Sequence, residues 1–288
     1  MRKITIRTYN ETDFEAWNKL VSESKNGTFL FDRNFMDYHK HKFQDFSLMI
    51  YNEKNNLIAI MPAHRIGDEV YSHLGLTYGG IIIKKDLRLT VFFEVFSEIL
   101  KFLFQEGIHF LHWKEVPYFY HSYPSDEWKY LAFVTEAELY RRDMCSVINL
   151  KEQFVFSKTV VRYAKNVDKQ GFIYRKSEEW DVFWKEILVP ELDFYHHVLP
   201  VHNLEEIFYL SSKFREKKVL DFLFYKLIKE DFKDYDYFDF GISNEENGRK
   251  TNMGLLYWKE GFGARGVSQD FYKISTQNFS LIEKMFLK

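Results

Sequence analysis

A chain of 288 residues is too long for one minimal domain and suits one large α/β unit or two lobes. Its 40 basic and 42 acidic side chains leave a net charge of −2, which excludes an overall field for drawing in nucleic acid, and a hydrophobic share of 46% excludes a disordered chain. The single cysteine, Cys145, excludes an intramolecular disulfide and a cysteine-rich zinc site; within RRDMCSVINL it reads as a buried, inert thiol. No apolar run approaches the roughly 20 residues of a membrane span. The N-terminus reads as a strand and a helix start rather than a signal sequence, so the cytoplasm is the expected location. Aromatic residues reach 19%, and core filling is the default reading for most of them.

In chain order, residues 4–9 predict a strand and 12–23 an amphipathic helix, with Thr12 as N-cap and Glu15 three residues on. A turn at Asn26-Gly27 precedes a second helix over 32–41. SLMIYNEKNNLIAIMPAHRIGDEVYSH then reads as three strands with turns at Asn55-Asn56 and Gly67-Asp68, an antiparallel meander by the shortness of its connections. A long helix is expected over 89–105, capped by Gly107. FLHWKEVP and LYRRDMCSVINL follow as strands. The second half predicts a basic helix over 158–169, a short strand in GFIYRKS, and helices over 177–189, 203–214 and 216–231. A strand over 237–242, a helical turn over 255–261 and a strand over 269–274 complete it. The expected class is α/β (α+β), an antiparallel-rich sheet flanked by helices, divided as 1–150 and 151–288.

Two stretches combine the features of a binding site. YFDFGISNEENGRKTNMGLLYWKEGFGAR, from Tyr237 to Arg265, is a strand running into a polar glycine-containing loop and then a helix, where α/β folds place binding groups. YSHLGLTYGG, from Tyr71 to Gly80, combines glycine, aromatic and hydroxyl groups. His73 there either bonds to nearby backbone or faces an acceptor as a base, since imidazole titrates near neutrality. Tyr78 beside two glycines is a candidate to line the same site, and Glu115, Tyr120 and His121 cluster around the end of a strand. Asn203 is explained as a helix cap with Glu206; His202 before it is not, which makes it a candidate contact. Lys259 and Arg265 either pair with a phosphate or carboxylate of a substrate or are rim charges, and Ser243 is grouped with them for binding. Adjacent His196 and His197 cannot both face one ion from a helix, and no metal is expected.

Together with LHWKEVPYFYH (111–121), LPVHNLEEI (199–207) and GLLYWKEGFGAR (254–265), these two stretches resemble the FemAB-like branch of the GNAT acyltransferases, in particular acetyltransferases associated with bacterial cell-surface polysaccharide synthesis. The similarity runs from about Phe14 to Tyr272. It implies two tandem GNAT-like lobes with a cleft between them. It further implies transfer of an acyl group, from acetyl-CoA or another acyl-CoA, to an amine or hydroxyl of an amino sugar or envelope precursor. A small-molecule or lipid-linked sugar is the implied acceptor; DNA is not expected, and an aminoacyl-tRNA donor is disfavoured by the near-neutral charge. His73, Asp239 and Glu245 are the implied base candidates. The donor pyrophosphate would meet the junction at 214–218 with Arg215, Lys217 and Lys218, which lacks a glycine. Here SSKF runs straight into REKKVLDFLFYKLI, where relatives carry several strands. The second lobe is therefore expected to be incomplete, shielded by the other lobe or by a partner chain, as in a homodimer. The alternative function is a catalytically impaired relative that binds a glycan precursor or a partner protein.

Overall fold

The computed structural model describes residues 2–37, 42–174 and 219–286. They form a mixed α/β fold in two compact units: Met1–Met144, Asn244–Thr251 and Val267–Lys288 in the first, Cys145–Ser243 and Asn252–Gly266 in the second.

The first unit opens with β1 (Thr5–Thr8) and, after a 3-10 turn, α1 (Phe14–Glu23). Asn10, not Thr12, supplies the cap. Its side chain accepts from the Thr12 N–H while Asp13 reaches back to the Asn10 N–H, so the capping residue lies two positions earlier than expected. The second helix, expected over 32–41, is the single turn α2 (Arg33–Met36), and residues 38–41 lie outside the described ones.

Strands β2 (Leu48–Tyr51), β3 (Leu57–Met61), β4 (His64–Ile66) and β5 (Glu69–Tyr71) follow, but they are not one meander. A short strand that the sequence reading missed, β6 (Ile82–Ile83), closes the sheet β1-β2-β3-β6, whereas β4 and β5 belong to a second sheet. The chain changes sheets at Pro62, which has no N–H to continue a ladder. Ser47 secures the corner, its hydroxyl accepting from the Ala63 N–H at 3.1 Å.

The expected long helix is α3 (Leu89–Gln105). Phe92, Val95, Phe96, Ile99, Leu100 and Leu103 recur at helical spacing and all are buried. Gly107, at φ +73°, ends it in a Schellman motif, with Gly107 N–H on the Phe104 carbonyl and Ile108 N–H on that of Leu103. Then come β7 (Phe110–Lys114), an unforeseen α4 (Glu127–Val134) and β8 (Glu138–Asn149). Near the C-terminus are β12 (Arg265–Ser275) and a second unforeseen helix, Phe279–Lys284. The second sheet runs β4-β5-β7-β12-β8; β5 pairs parallel with β7, β4 antiparallel with β5, and β12 antiparallel with β7. One core lies under α3, with Leu48, Ile50, Ala59 and Met61; another gathers Trp17, Phe31, Met49 and Ile60.

In the second unit β8 continues to Asn149 and pairs antiparallel with β9 (Tyr237–Ile242). Helix α5 (Lys158–Lys169), capped by Ser157, packs through Val160, Ala164 and Val167. Its neighbour α6 (Val219–Lys226) continues into a π-turn at Leu227–Asp231. Helix α7 (Met253–Glu260) is capped by Asn252, whose side chain accepts from the Leu255 N–H. Between β9 and α7 the chain makes the hairpin β10 (Asn244–Glu245) and β11 (Lys250–Thr251) of the first unit. Phe224, Phe238, Phe240, Trp258 and Phe262 form an aromatic cluster in its core. Of the expected strand in GFIYRKS, residues 171–174 form none and the rest lies outside the described residues. So do the helices expected over 177–189 and 203–214, the start of the one over 216–231 and the junction at 214–218. Among the described residues this unit holds β9 and the ends of β8 and β12.

Two glycines separate conformational from steric cost. A Cβ at Gly107 meets open space, so Gly107→Ala costs about 1–2 kcal/mol for the left-handed backbone alone. At Gly79 a Cβ would fall on the Ser72 carbonyl, so Gly79→Ala is expected to lower the urea midpoint several times as far.

Candidate functional site

In the first unit, strand register builds a row of chemical groups on one face of the second sheet. His64 pairs with Tyr71, Tyr71 with His112, and His112 with Lys273, across β4, β5, β7 and β12. The rings stack, Tyr71 on His112 at 4.1 Å and 9°, and His64 on Tyr71 at 5.6 Å and 12°. Glu69, two residues before Tyr71, shares its face. Its carboxylate accepts from Lys273 Nζ at 2.9 Å, the Tyr71 hydroxyl at 2.8 Å and His112 Nε2 at 3.0 Å. Lys273 first, then Tyr71, holds the Glu69 carboxyl down at about 2.

An ionised carboxylate only accepts, so His112 carries its hydrogen on Nε2 and leaves Nδ1 as the lone pair. Nδ1 is buried and has no hydrogen-bond partner among the described residues. Burial depresses the His112 pKa and keeps the ring neutral. A carboxylate that fixes the tautomer of a neutral imidazole is a general-base arrangement. His64 lies beside it, its Nδ1 accepting from the Leu74 N–H at 3.3 Å, and burial pushes its pKa down to about 4. Lys114, also pushed down by burial, to about 8, donates to the Leu74 and Leu76 carbonyls.

His73 belongs to this neighbourhood. It is buried, sits at φ +72°, and meets Phe43 and His64 edge-on at 5.3 and 5.5 Å. A left-handed non-glycine residue is uncommon and marks a position held by its surroundings. The sequence reading found His73 but missed Glu69 and His112. The alternation of EVY and FLHWK signals half-buried strands and gives no sign of their parallel pairing.

A second group in this unit joins other predicted residues. Tyr78 and Tyr120 pack at 4.8 Å, and the Tyr78 hydroxyl bonds to that of Thr28. Glu115 is buried, paired with Lys129 at 2.6 Å, and accepts from the Asp270 N–H. Burial raises its pKa while Lys129 opposes the rise. His121 donates from Nε2 to the Val116 carbonyl, and burial lowers its pKa. Glu245 is exposed on the β10–β11 hairpin, 3.5 Å from Lys250.

In the second unit, Asp239, Ser243 and Lys259 gather at the end of β9. The register of β8 against β9 slips between Cys145 and Val147, and Ser146 lies at the slip. Buried Lys259 donates to the Gly241 and Ile242 carbonyls at 3.0 and 2.6 Å, and Asp239 accepts from the Gly241 N–H at 2.7 Å. Burial lowers the Lys259 pKa, with Asp239 opposing. The Ser146 and Ser243 hydroxyls are buried with no hydrogen-bond partner among the described residues. Arg265 is exposed and donates to the Ala264 carbonyl. His202, Arg215, Lys217 and Lys218 lie outside the described residues, and among the described ones no group of His, Cys, Asp and Glu is placed to hold a metal ion.

No family model and no curated protein matches the sequence. Among solved structures, that of L-PGS from Bacillus licheniformis matches 98% of this chain and 98% of its own, with a TM-score of 0.57 at 13% identity. The two share a fold from end to end. The ribosomal-protein-S18-alanine N-acetyltransferase of Escherichia coli matches 55% of this chain and 86% of its own at a TM-score of 0.37 and 11% identity. The GNAT family N-acetyltransferase YhbS of Escherichia coli, solved with CoA, matches 48% and 71% at 0.33 and 14%.

The low pKa of Glu69 sets an acid dependence. Its folded value, about 2, lies below the ordinary value, so its contribution to stability is present above about pH 4.5 and lost as pH falls toward 2. Urea unfolding should therefore separate the parent from Glu69→Gln most widely at neutral pH, with the difference closing between pH 4.5 and 2.

Proposed function

We propose that the chain is an acyltransferase that moves an acyl group from acetyl-CoA or another acyl-CoA to an amine or hydroxyl of an amino sugar or related cell-envelope precursor. The observation that carries this reading is the end of β9. There Lys259 donates to two strand-end carbonyls, and two buried hydroxyls have no described partner where β8 and β9 lose register. Buried polar groups are nearly always hydrogen-bonded, so such hydroxyls suit a polar ligand. The full-length likeness to L-PGS supports the fold, and fold alone does not fix chemistry.

In this reading the donor supplies an acyl thioester. Ser243 binds at its polar end, Arg215, Lys217 and Lys218 hold its phosphates, and Lys259 keeps the strand end in place. His73, Asp239 or Glu245 takes the proton of the attacking amine or hydroxyl; the Glu69–His112 pair adds a fourth candidate with a defined lone pair. Tyr78, Glu115, Tyr120, His121, His202 and Arg265 shape the acceptor side. The acceptor is a small-molecule or lipid-linked sugar, and a homodimer shields the second lobe.

Calorimetric titration with acetyl-CoA should give saturable binding that Ser243→Ala weakens; no saturable binding at millimolar donor would favour a catalytically impaired protein that binds a glycan precursor or a partner. Among His73→Ala, Asp239→Asn, Glu245→Gln and His112→Phe, the variant that removes the base should lose about 10²–10⁴-fold in transfer rate while keeping donor affinity. Equal rates in all four would remove these side chains from proton transfer.

A further inference from the structure

The outer face of α5 is charged in a way that neither the fold nor acyl transfer requires. Lys158, Arg162, Lys165 and Lys169 are spaced four, three and four residues apart. At about 100° per residue they fall within an arc of about 60°. The buried Val160, Ala164 and Val167 occupy the opposite side. All four cations are exposed and none forms an ion pair with a described residue. They line a groove of about 400 Å³ together with Phe156 and Val161. The helix's one acidic side chain, Asp168, is turned about 90° away from the stripe.

Two exposed apolar residues bracket the helix in sequence. Val155 lies between Phe154 and Phe156, which pack inward, and is 73% exposed. Ile173 lies between the inward-packed Phe172 and Tyr174 and is 86% exposed. Each is the turned-out member of an alternating triplet, one just before the helix and one just after it.

We propose that this face of α5 docks on the surface of an anionic phospholipid membrane, with the four cations among the headgroups and Val155 and Ile173 dipping toward the acyl chains. A straight cationic line suits a charged plane whose lipids can move to meet it, and exposed apolar tips suit an interface that has a hydrocarbon side. A nucleic acid would use the charges but not the tips, and the aromatic rings nearby are taken, Phe156 being buried and Tyr163 lying under the Arg162 guanidinium. The net charge of −2 confines the attraction to this local face. Docking here is independent of whether the chain transfers an acyl group.

The test is co-sedimentation of the full chain with large vesicles of phosphatidylcholine, with and without phosphatidylserine, at low and high salt. Binding should require phosphatidylserine and weaken with salt. Each cation near an anionic surface is worth about fivefold in partitioning, so Lys165→Gln with Lys169→Gln should reduce it about 25-fold. Val155→Ser with Ile173→Ser should weaken the binding that remains at high salt. An unchanged urea midpoint establishes that each surface variant is folded. Absence of binding to phosphatidylserine vesicles, or binding that the lysine pair does not weaken, overturns the proposal. So does a single-stranded RNA that displaces the chain from the vesicles through the same four residues.

Discussion

The parallel pairing of β5 with β7 is the constraint on which the first unit depends. Parallel neighbours cannot be joined by a tight turn, so the chain between Tyr71 and Phe110 must cross over the sheet and return. That crossover carries α3, whose apolar stripe covers the core, and Gly107 releases the chain at the right point to enter β7. The same pairing sets Tyr71 against His112 and brings Glu69 within reach of His112 Nε2. A cationic neighbour from β12 then completes the carboxylate's partners. Scaffold and chemistry thus share one geometric origin.

Where local chemistry decides structure, the sequence is legible. The 92, 95, 96, 99, 100, 103 spacing and Gly107 define α3 from residues alone, and residues 237–242 read directly as β9. Helix α5 is equally plain, because its apolar and basic residues separate at helical spacing. The break at Pro62 is harder to read. Met49 and Ile60 enter one core and Leu48, Ile50, Ala59 and Met61 another, so the strands are apolar on both faces and show no alternation that changes where the sheets part. The short α4 was missed because EWKYLAFV is apolar over much of its circumference.

The site divides along the same line. His73, Tyr78 and Glu115 stand out beside glycines or at a strand end, and the structure puts Tyr78 near Tyr120 and His73 near His64. Glu69 and His112 are 43 positions apart and become partners only through the crossover, so no local pattern announces them. Lys259 shows the converse: a residue read either as a substrate-pairing cation or as a rim charge proves to be buried, its ammonium bonded to two carbonyls of β9. An amphipathic side chain of that length spans such a distance while its stem covers apolar surface.

The doubly buried strands β2 and β3 have a consequence for alignment. In a sheet with one wet face, a slip of one residue turns apolar side chains into water and is penalised by burial. Here either parity is apolar, so burial discriminates weakly between neighbouring alignments. Directional polar contacts must fix the correct one. Asn26 does so beside β6, its buried side chain donating to the Ile81 carbonyl at 2.8 Å and accepting from the Ile83 N–H at 3.0 Å. Ser47, bonded to Ala63, does so at the other end of β2 and β3. In this apolar sheet Ser47 and, beside β6, Asn26 add directional bonds to those of the Asn52 turn between β2 and β3, and together these polar contacts hold the alignment that burial alone leaves open.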